Sequence, residues 1–456
     1  MLKAEFTVAA WYEVSAECLT PIRTGGADND PETLLLTKRL TPVRTDGNAA
    51  DAETVFMNAQ PVLLLQGSSL AGALRGWLEE NGENADALFG SSAVGGQIRP
   101  GRLRVSDGVF LPETETTLRP RLKLNPKTHA AENDKKFDMA HIQTGARFDF
   151  RLIWLGTEET QKGELATIER MLSALHNGEI RLGAQKSNGF GRVSLRYRKR
   201  VYILSKENDR REWLNQSPPD GVPITPEALT DSRRVQFILR FRADSLLVKA
   251  GAEAFAEEDG KPSMVTVSIE EAGYAVIPGS SVKGAVRARA EQIAVLKGLP
   301  VGETESLFGR MARGGNDNGL AGVARFEDIR LSNEKRVRVK RIRINRFTGG
   351  VVTSGLFTEE PVSTSVPAEL RVSLPANRER GCALLLYALR DLAWNLYGLG
   401  SGRSIGRGTL DASELEIRLP GGGTALFRFR DGFRCEASGE VETVQGWLTG
   451  LEAKRT

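Results

Sequence analysis

A strand-like run of apolar residues opens the chain from Phe6 to Cys18, and a long polar stretch separates it from a second short apolar run, Pro61 to Leu65. Gly67-Ser68-Ser69 then forms a turn, and the spacing beyond it predicts a helix from about Leu70 to Glu80. Further strands are expected at Arg102 to Val109 and Phe148 to Leu155, and a helix at Glu164 to His176. The pattern then starts again. Val235 to Phe241 reads as a strand, a polar stretch follows, and Tyr274 to Ile277 leads into a helix from Ser280 to Val295. Strands at Gly322 to Leu331 and Leu370 to Leu374 and a helix at Ala383 to Leu396 complete the second series. This order of strands and helices predicts an α+β sandwich with a ferredoxin-like core in each half.

The motifs repeat with the pattern. Gln66-Gly67-Ser68-Ser69-Leu70-Ala71-Gly72-Ala73-Leu74-Arg75 returns as Pro278-Gly279-Ser280-Ser281-Val282-Lys283-Gly284-Ala285-Val286-Arg287. Leu88-Phe89-Gly90 is answered by Leu307-Phe308-Gly309, and the glycine-rich Leu182 to Gly191 by Leu399 to Gly408. The offsets are 212, 219 and 217 residues, so the copies are collinear, and a repeat this long is a domain. The expected division is a first domain over 1–205, a linker over 206–232 containing Pro218-Pro219-Asp220-Gly221, and a second domain over 233–456.

Composition narrows the function. The 456 residues carry a formal charge of only +4 despite 62 Lys and Arg, so any anion-binding surface must come from where the basic residues sit. Three scattered cysteines argue against a disulfide framework or a zinc site, and no apolar run is long enough to span a membrane. A reducing, cytoplasmic setting is expected.

Basic residues recur at matching places. Arg119, Arg121 and Lys123 alternate with apolar residues, as do Arg336, Arg338 and Lys340, after which come Arg341, Arg343 and Arg346. On a strand, that period places the charges on one face. From Lys335 to Arg346, seven of twelve residues are basic and none is acidic, which favours an anionic partner. For Arg119 to Lys123, an anion-binding face and a charged edge that discourages aggregation both stand. The Gly-Ser-Ser turns, Ser68-Ser69 and Ser280-Ser281, with Arg75, Arg287 and Lys283 nearby, suit either a phosphate or a plain helix cap. The glycine-rich loops add Lys186 and Arg192 in one copy and Arg403 and Arg407 in the other. Phe137, Phe347 and Phe357 are candidates for stacking on bases or for the core. No P-loop or nucleophile elbow is present, and His129, His141 and His176 stand alone. Acids cluster before each Gly-Ser-Ser turn: Asp28, Asp30, Asp46 and Asp51, then Glu257, Glu258 and Asp259. They read as surface loops or as holders of a divalent ion.

Ile277-Pro278-Gly279-Ser280-Ser281-Val282-Lys283-Gly284 with its later glycine-rich loop, together with Asn345-Arg346-Phe347-Thr348-Gly349-Gly350 and Leu356-Phe357-Thr358-Glu359-Glu360, resembles the RAMP superfamily of CRISPR-associated proteins. The likeness is to backbone subunits of type III effector complexes, and two fused copies look like the double-backbone subunit of type III-D-like systems. The resemblance implies a modified RNA-recognition fold in each half. It also implies thumb-like β-hairpins, around Asn125 to His141 and Asn345 to Glu360, that kink a guide RNA. Guide crRNA, target RNA and other subunits of the complex are the implied partners. In catalytic members an aspartate in the loop before the Gly-Ser-Ser motif promotes cleavage of the target with Mg2+ or another divalent ion. Sixteen residues before Gly67 stands Asp51, the implied catalytic and metal-binding residue, with Asp28 and Asp30 as alternatives; the same count from Gly279 reaches Ser263. The first copy departs from the pattern with Ala71 for Lys283 and His129-Ala130 for Gly349-Gly350. A purely structural, end-capping subunit and a histidine-dependent guide-processing endonuclease are the other members the resemblance allows.

Overall fold

Strand Arg147–Gly156 buries Phe148, Phe150, Leu152 and Trp154 and turns the residues between them outward, so one sheet face requires a cover. Helix Glu158–His176 supplies it with Leu165, Ile168, Met171, Leu172 and Leu175. The second half repeats the device: Ala368, Leu370, Val372 and Leu374 of strand Ala368–Pro375 face the heavily buried helix Glu379–Ala393. The computed structural model describes residues 6–24, 63–91, 100–124, 131–229, 233–258, 261–312, 317–430 and 433–452.

Both halves are mixed α and β with mainly antiparallel sheets. The first sheet runs Leu64–Leu65, Gly108–Phe110, Arg147–Gly156, Val8–Cys18, Val193–Ile203, with Leu103–Val105 also on Arg147–Gly156. The second runs Arg325–Phe326, Ala368–Pro375, Arg234–Asp244, Thr409–Arg418, Thr424–Arg430, Arg434–Gly439. The central strands have matching neighbours. Val14 lies between Phe150 and Tyr197, and Leu239 between Leu370 and Leu415. One large core cluster takes its residues from Val8 to Tyr197 and another from Val235 to Leu451, and a small third holds Ala9, Trp11 and Tyr202.

Three expectations are revised. The single strands predicted at Arg102 to Val109 and Gly322 to Leu331 each break in two, at the bends carrying Asp107 and Asp328. The stretch read as a linker begins with helix Glu207–Leu214, whose Trp213 packs on Trp11 and Tyr202 across the outer sheet face. Eight residues are too few to show a helical period, yet this helix packs its Trp213 on the buried pair Trp11 and Tyr202. The acidic stretch before the second Gly-Ser-Ser turn is a hairpin, Lys249–Glu258 with Lys261–Ser268, and its second strand pairs in parallel with Val351–Glu359. Asp259 lies outside the described residues.

Candidate nucleic-acid interface

Each Gly-Ser-Ser turn opens a helix, Gly67–Glu80 or Gly279–Leu296, and the two mouths are built alike. The first free N–H of each is taken by an aspartate: Gly67 N donates to Asp107 Oδ1 at 2.7 Å, and Gly279 N to Asp328 Oδ1 at 2.6 Å. An acid at this end satisfies an orphan donor and the positive pole of the helix. Arg75 and Arg287, expected to face phosphate, instead staple the helix to the next turn. Arg75 Nη1 donates to the Gly90 carbonyl at 3.0 Å while Nε bonds Glu79; Arg287 Nη1 donates to the Gly309 carbonyl at 2.9 Å while Nε bonds Glu291. Ser68 and Ser69 are exposed, whereas Ser280 and Ser281 are half-buried.

The difference in exposure arises because the first half's glycine-rich loop sits on the second mouth. Lys283 Nζ donates to Ser187 Oγ at 3.1 Å. A Cβ on Gly279 would meet the Asn188 carbonyl at 2.7 Å, and one on Gly189 would meet the Phe326 carbonyl at 2.6 Å. Burial, then the neighbouring Arg287 and Arg121, lower the Lys283 ammonium to about 8. Lys186 of the same loop is exposed. Arg192, expected to bind RNA, lies 3.5 Å from Glu327 of the second half. The second loop has no such seat: Gly406 faces open space, and Arg403 is exposed beside it. Arg407 is buried and its Nη1 donates to Glu359 Oε2 at 2.6 Å.

Basic alternation has a different outcome in each half. Arg119, expected at an anion-binding face or a charged edge, is 1% exposed and donates to both oxygens of Glu271 at 2.7 Å and to Asp328 Oδ2 at 2.9 Å. His141 packs beside the same pair, 3.3 Å from Glu271. Burial by itself would raise the Glu271 carboxyl, but Arg119 and then His141 overcome it and hold it down near 2. In the second half the expectation of uncompensated charge is corrected by acids that the fold brings alongside. Arg336 bonds Glu334 and Glu270, Arg338 bonds Glu360 at 2.8 Å, and Arg341 approaches Glu359 at 3.4 Å. Arg343 and Arg346 remain exposed on the hairpin Val339–Ile344 with Val351–Glu359.

The tip of that hairpin carries Phe347, 97% exposed. Asn345 Oδ1 accepts the N–H groups of Phe347 at 2.8 Å and Thr348 at 3.3 Å, so the turn holds itself in shape without packing. A fully exposed ring beside an exposed arginine on a self-supported turn can stack on a base while nearby guanidinium groups meet phosphates. Phe357, lower on the hairpin, lies under Arg341. The side chain of Phe137 lies outside the described residues.

Asp28, Asp30 and Asp51 lie outside the described residues as well, as does the side chain of Ser263. Among the described residues no group of three His, Cys, Asp or Glu could hold a metal ion. His176 bonds the Leu195 backbone through Nδ1. The residues sequence reasoning missed are the acids Asp107, Asp328, Glu271 and Glu327. Asp107 and Asp328 occupy matching places in the two copies, a signal that was readable; Glu327 stands where the first copy has Ser106, so the repeat gave no hint of it.

Among the described residues no helix is long and apolar enough to cross a membrane. No curated protein matches the chain. The RAMP superfamily model matches it twice, over residues 15–194 and 240–411, one match for each large core and well over half of the sequence. The chain belongs to the RAMP superfamily, a membership that implies a CRISPR-associated RNA-binding protein.

Proposed function

We propose that this protein is a guide-RNA-binding backbone subunit of a type III CRISPR effector complex, of the III-D-like kind, acting in the cytoplasm as two fused ferredoxin-like, RNA-recognition-type domains. The observation that carries the reading is the hairpin that presents exposed Phe347 at its tip, next to exposed Arg346 and on the same hairpin as exposed Arg343. Guide sequences vary, so recognition must run mainly through the backbone and through base stacking, which every base permits. The open mouth at Ser68 and Ser69 and the open loop at Gly406 are the surfaces assigned to neighbouring subunits, because their counterparts in this chain already dock on each other. Binding of two unrelated guide RNAs, followed by fluorescence anisotropy over a salt series, tests this. Affinity should fall linearly on a log–log plot, and the triple variant R343A/R346A/F347A should weaken both guides alike. A loss confined to one guide would contradict the idea.

Cleavage of target RNA is assigned to the first half, at Asp51. The 2′-hydroxyl of RNA is its own nucleophile, so a kinked strand needs only a base or charge stabilisation nearby. A bound Mg2+ or similar ion would supply that stabilisation at the scissile phosphate. In the assembled complex with labelled target and magnesium, Asp51→Ala should remove one cut and spare guide and target binding. Asp28→Ala and Asp30→Ala run alongside: a band lost in either one moves the site. An unaltered ladder in all three leaves a structural subunit, a reading the second half already favours with Ser263 in the place of Asp51.

A further inference from the structure

Beside the docked loop, the two halves enclose a cavity of about 60 Å³ whose lining includes Arg181 and Arg192 of the first half and Arg234, Arg371 and Glu327 of the second. Arg181 is 4% exposed, and only its Nη2 is bonded, to Glu327 Oε1 at 2.6 Å. Its Nε and Nη1 are buried without a hydrogen-bond partner, and so is Nε of Arg192. A buried donor left without a partner is costly, and three belong to residues that line this cavity. Arg325 stands close by and donates to the Gly178 and Glu179 carbonyls.

Basic side chains crowd the cavity wall: Arg181, Arg192, Arg234 and Arg371 line it, with Glu327 and Glu179 as the acids. Arg371 is paired with Glu369. Burial, then the crowding of like charges, lowers the guanidinium of Arg234 to about 9 and that of Arg325 to about 10. Such a cluster is relieved by an anion. Guanidinium forks match the spacing of oxygens on a tetrahedral oxyanion, and the volume suits one such group but not a nucleoside.

We propose that this inter-half cavity is a binding site for a phosphate group, held by Arg181 and Arg192 with Arg234 behind them. The phosphate is either free inorganic phosphate or one phosphate of a bound RNA, and the site does not depend on the hairpin reading above. Glu327 is the internal competitor, since it takes the guanidinium edge that phosphate would otherwise hold.

The test uses the full chain, free of RNA, titrated with inorganic phosphate and with chloride at matched ionic strength while unfolding is followed by fluorescence. Phosphate should give a saturable rise in Tm that chloride does not. Calorimetry should show Arg181→Met weakening phosphate by about tenfold or more, and Glu327→Gln tightening it by a similar factor, as expected for gain or loss of a charge-assisted hydrogen bond. Should Arg181→Met fold poorly, the opposite response of Glu327→Gln, with Arg192→Gln as the weakening partner, still decides. Identical phosphate and chloride curves, or a phosphate response indifferent to all three substitutions, would overturn the proposal. Adding a guide-length RNA separates the sources. Displacement of phosphate, with Arg181→Met weakening the RNA, assigns an RNA phosphate; simultaneous binding assigns the free ion.

Discussion

Gly189 and Gly406 occupy matching places in matching loops, both with positive φ, +95° and +84°. The first is pressed against the backbone of the other half, and the second faces open space. The helix mouths divide the same way, since Ser280 and Ser281 lie under the first loop while Ser68 and Ser69 are exposed. Duplication gave each half a loop and a mouth, and joining the halves used one of each. Around the used pair the chain carries buried ion clusters, Arg119 with Glu271 and Asp328, and Arg181 with Glu327. Around the unused pair the matching residues are different: Gly398 stands for Arg181 and Ser106 for Glu327. One motif therefore serves as a joint or as a free surface according to the charges placed beside it.

The used joint should be most sensitive at Arg119, which is buried against Glu271 and Asp328. Arg119→Met leaves two carboxylates buried without their cation and should cost about 3–5 kcal/mol in urea unfolding. Arg336, its counterpart in the alternating pattern, pairs near the surface, and Arg336→Met should stay within about 1 kcal/mol. Equal costs would mean that the joint is no more than a surface contact. Acid offers a second view of the same cluster. Glu271 is held near 2 in the folded protein, below its unfolded value, so its stabilisation is complete above the unfolded value and is lost as pH falls toward 2. The stability gap between the natural protein and Glu271→Gln should therefore close over that acidic window.

A smaller effect separates the two glycines. An alanine at either position meets the strain of a left-handed backbone, about 1–2 kcal/mol. Gly189→Ala must also displace the Phe326 carbonyl, which adds about 1–3 kcal/mol, while Gly406→Ala should show the strain alone. Paired thermal melts of the two variants measure the difference; a Gly406→Ala penalty as large as that of Gly189→Ala would show the second loop to be seated after all.

The smallest effect concerns Lys283. Its folded value, about 8, lies below its unfolded one, so the folded protein gains stability as pH rises between them, and the ammonium is lost above about 8. If Lys283 helps hold RNA, Lys283→Met should weaken guide binding at pH 7 and leave it unchanged near pH 9.5. Anisotropy at the two pH values reads this directly: guide affinity unchanged by the substitution at pH 7 removes Lys283 from the interface, and a loss that persists at the higher pH shows that the ammonium charge is not what holds the RNA.

Much of the architecture was legible in the sequence. The duplication stood in three motifs, and the core strands and helices stood in the alternation of Phe148 to Trp154 and the helical spacing of Leu165 to Leu175. Local periodicity reports which face of an element is buried, and that is enough to place elements. Among the candidate residues, Arg343, Arg346, Phe347 and Arg403 are exposed. Arg75, Arg119, Arg287 and Arg407 are engaged by carboxylates of the chain itself, and a basic residue looks the same in sequence whether its partner is a phosphate or a carboxylate. Glu271 and Asp328 lie 152 and 209 residues from Arg119, and only folding brings them within hydrogen-bond reach. The period along a strand decided which residues share a face. The packing of one half against the other decided which charges were neutralised there, because Coulomb and hydrogen-bond energies depend on distance in space and on burial, neither of which is written along the chain.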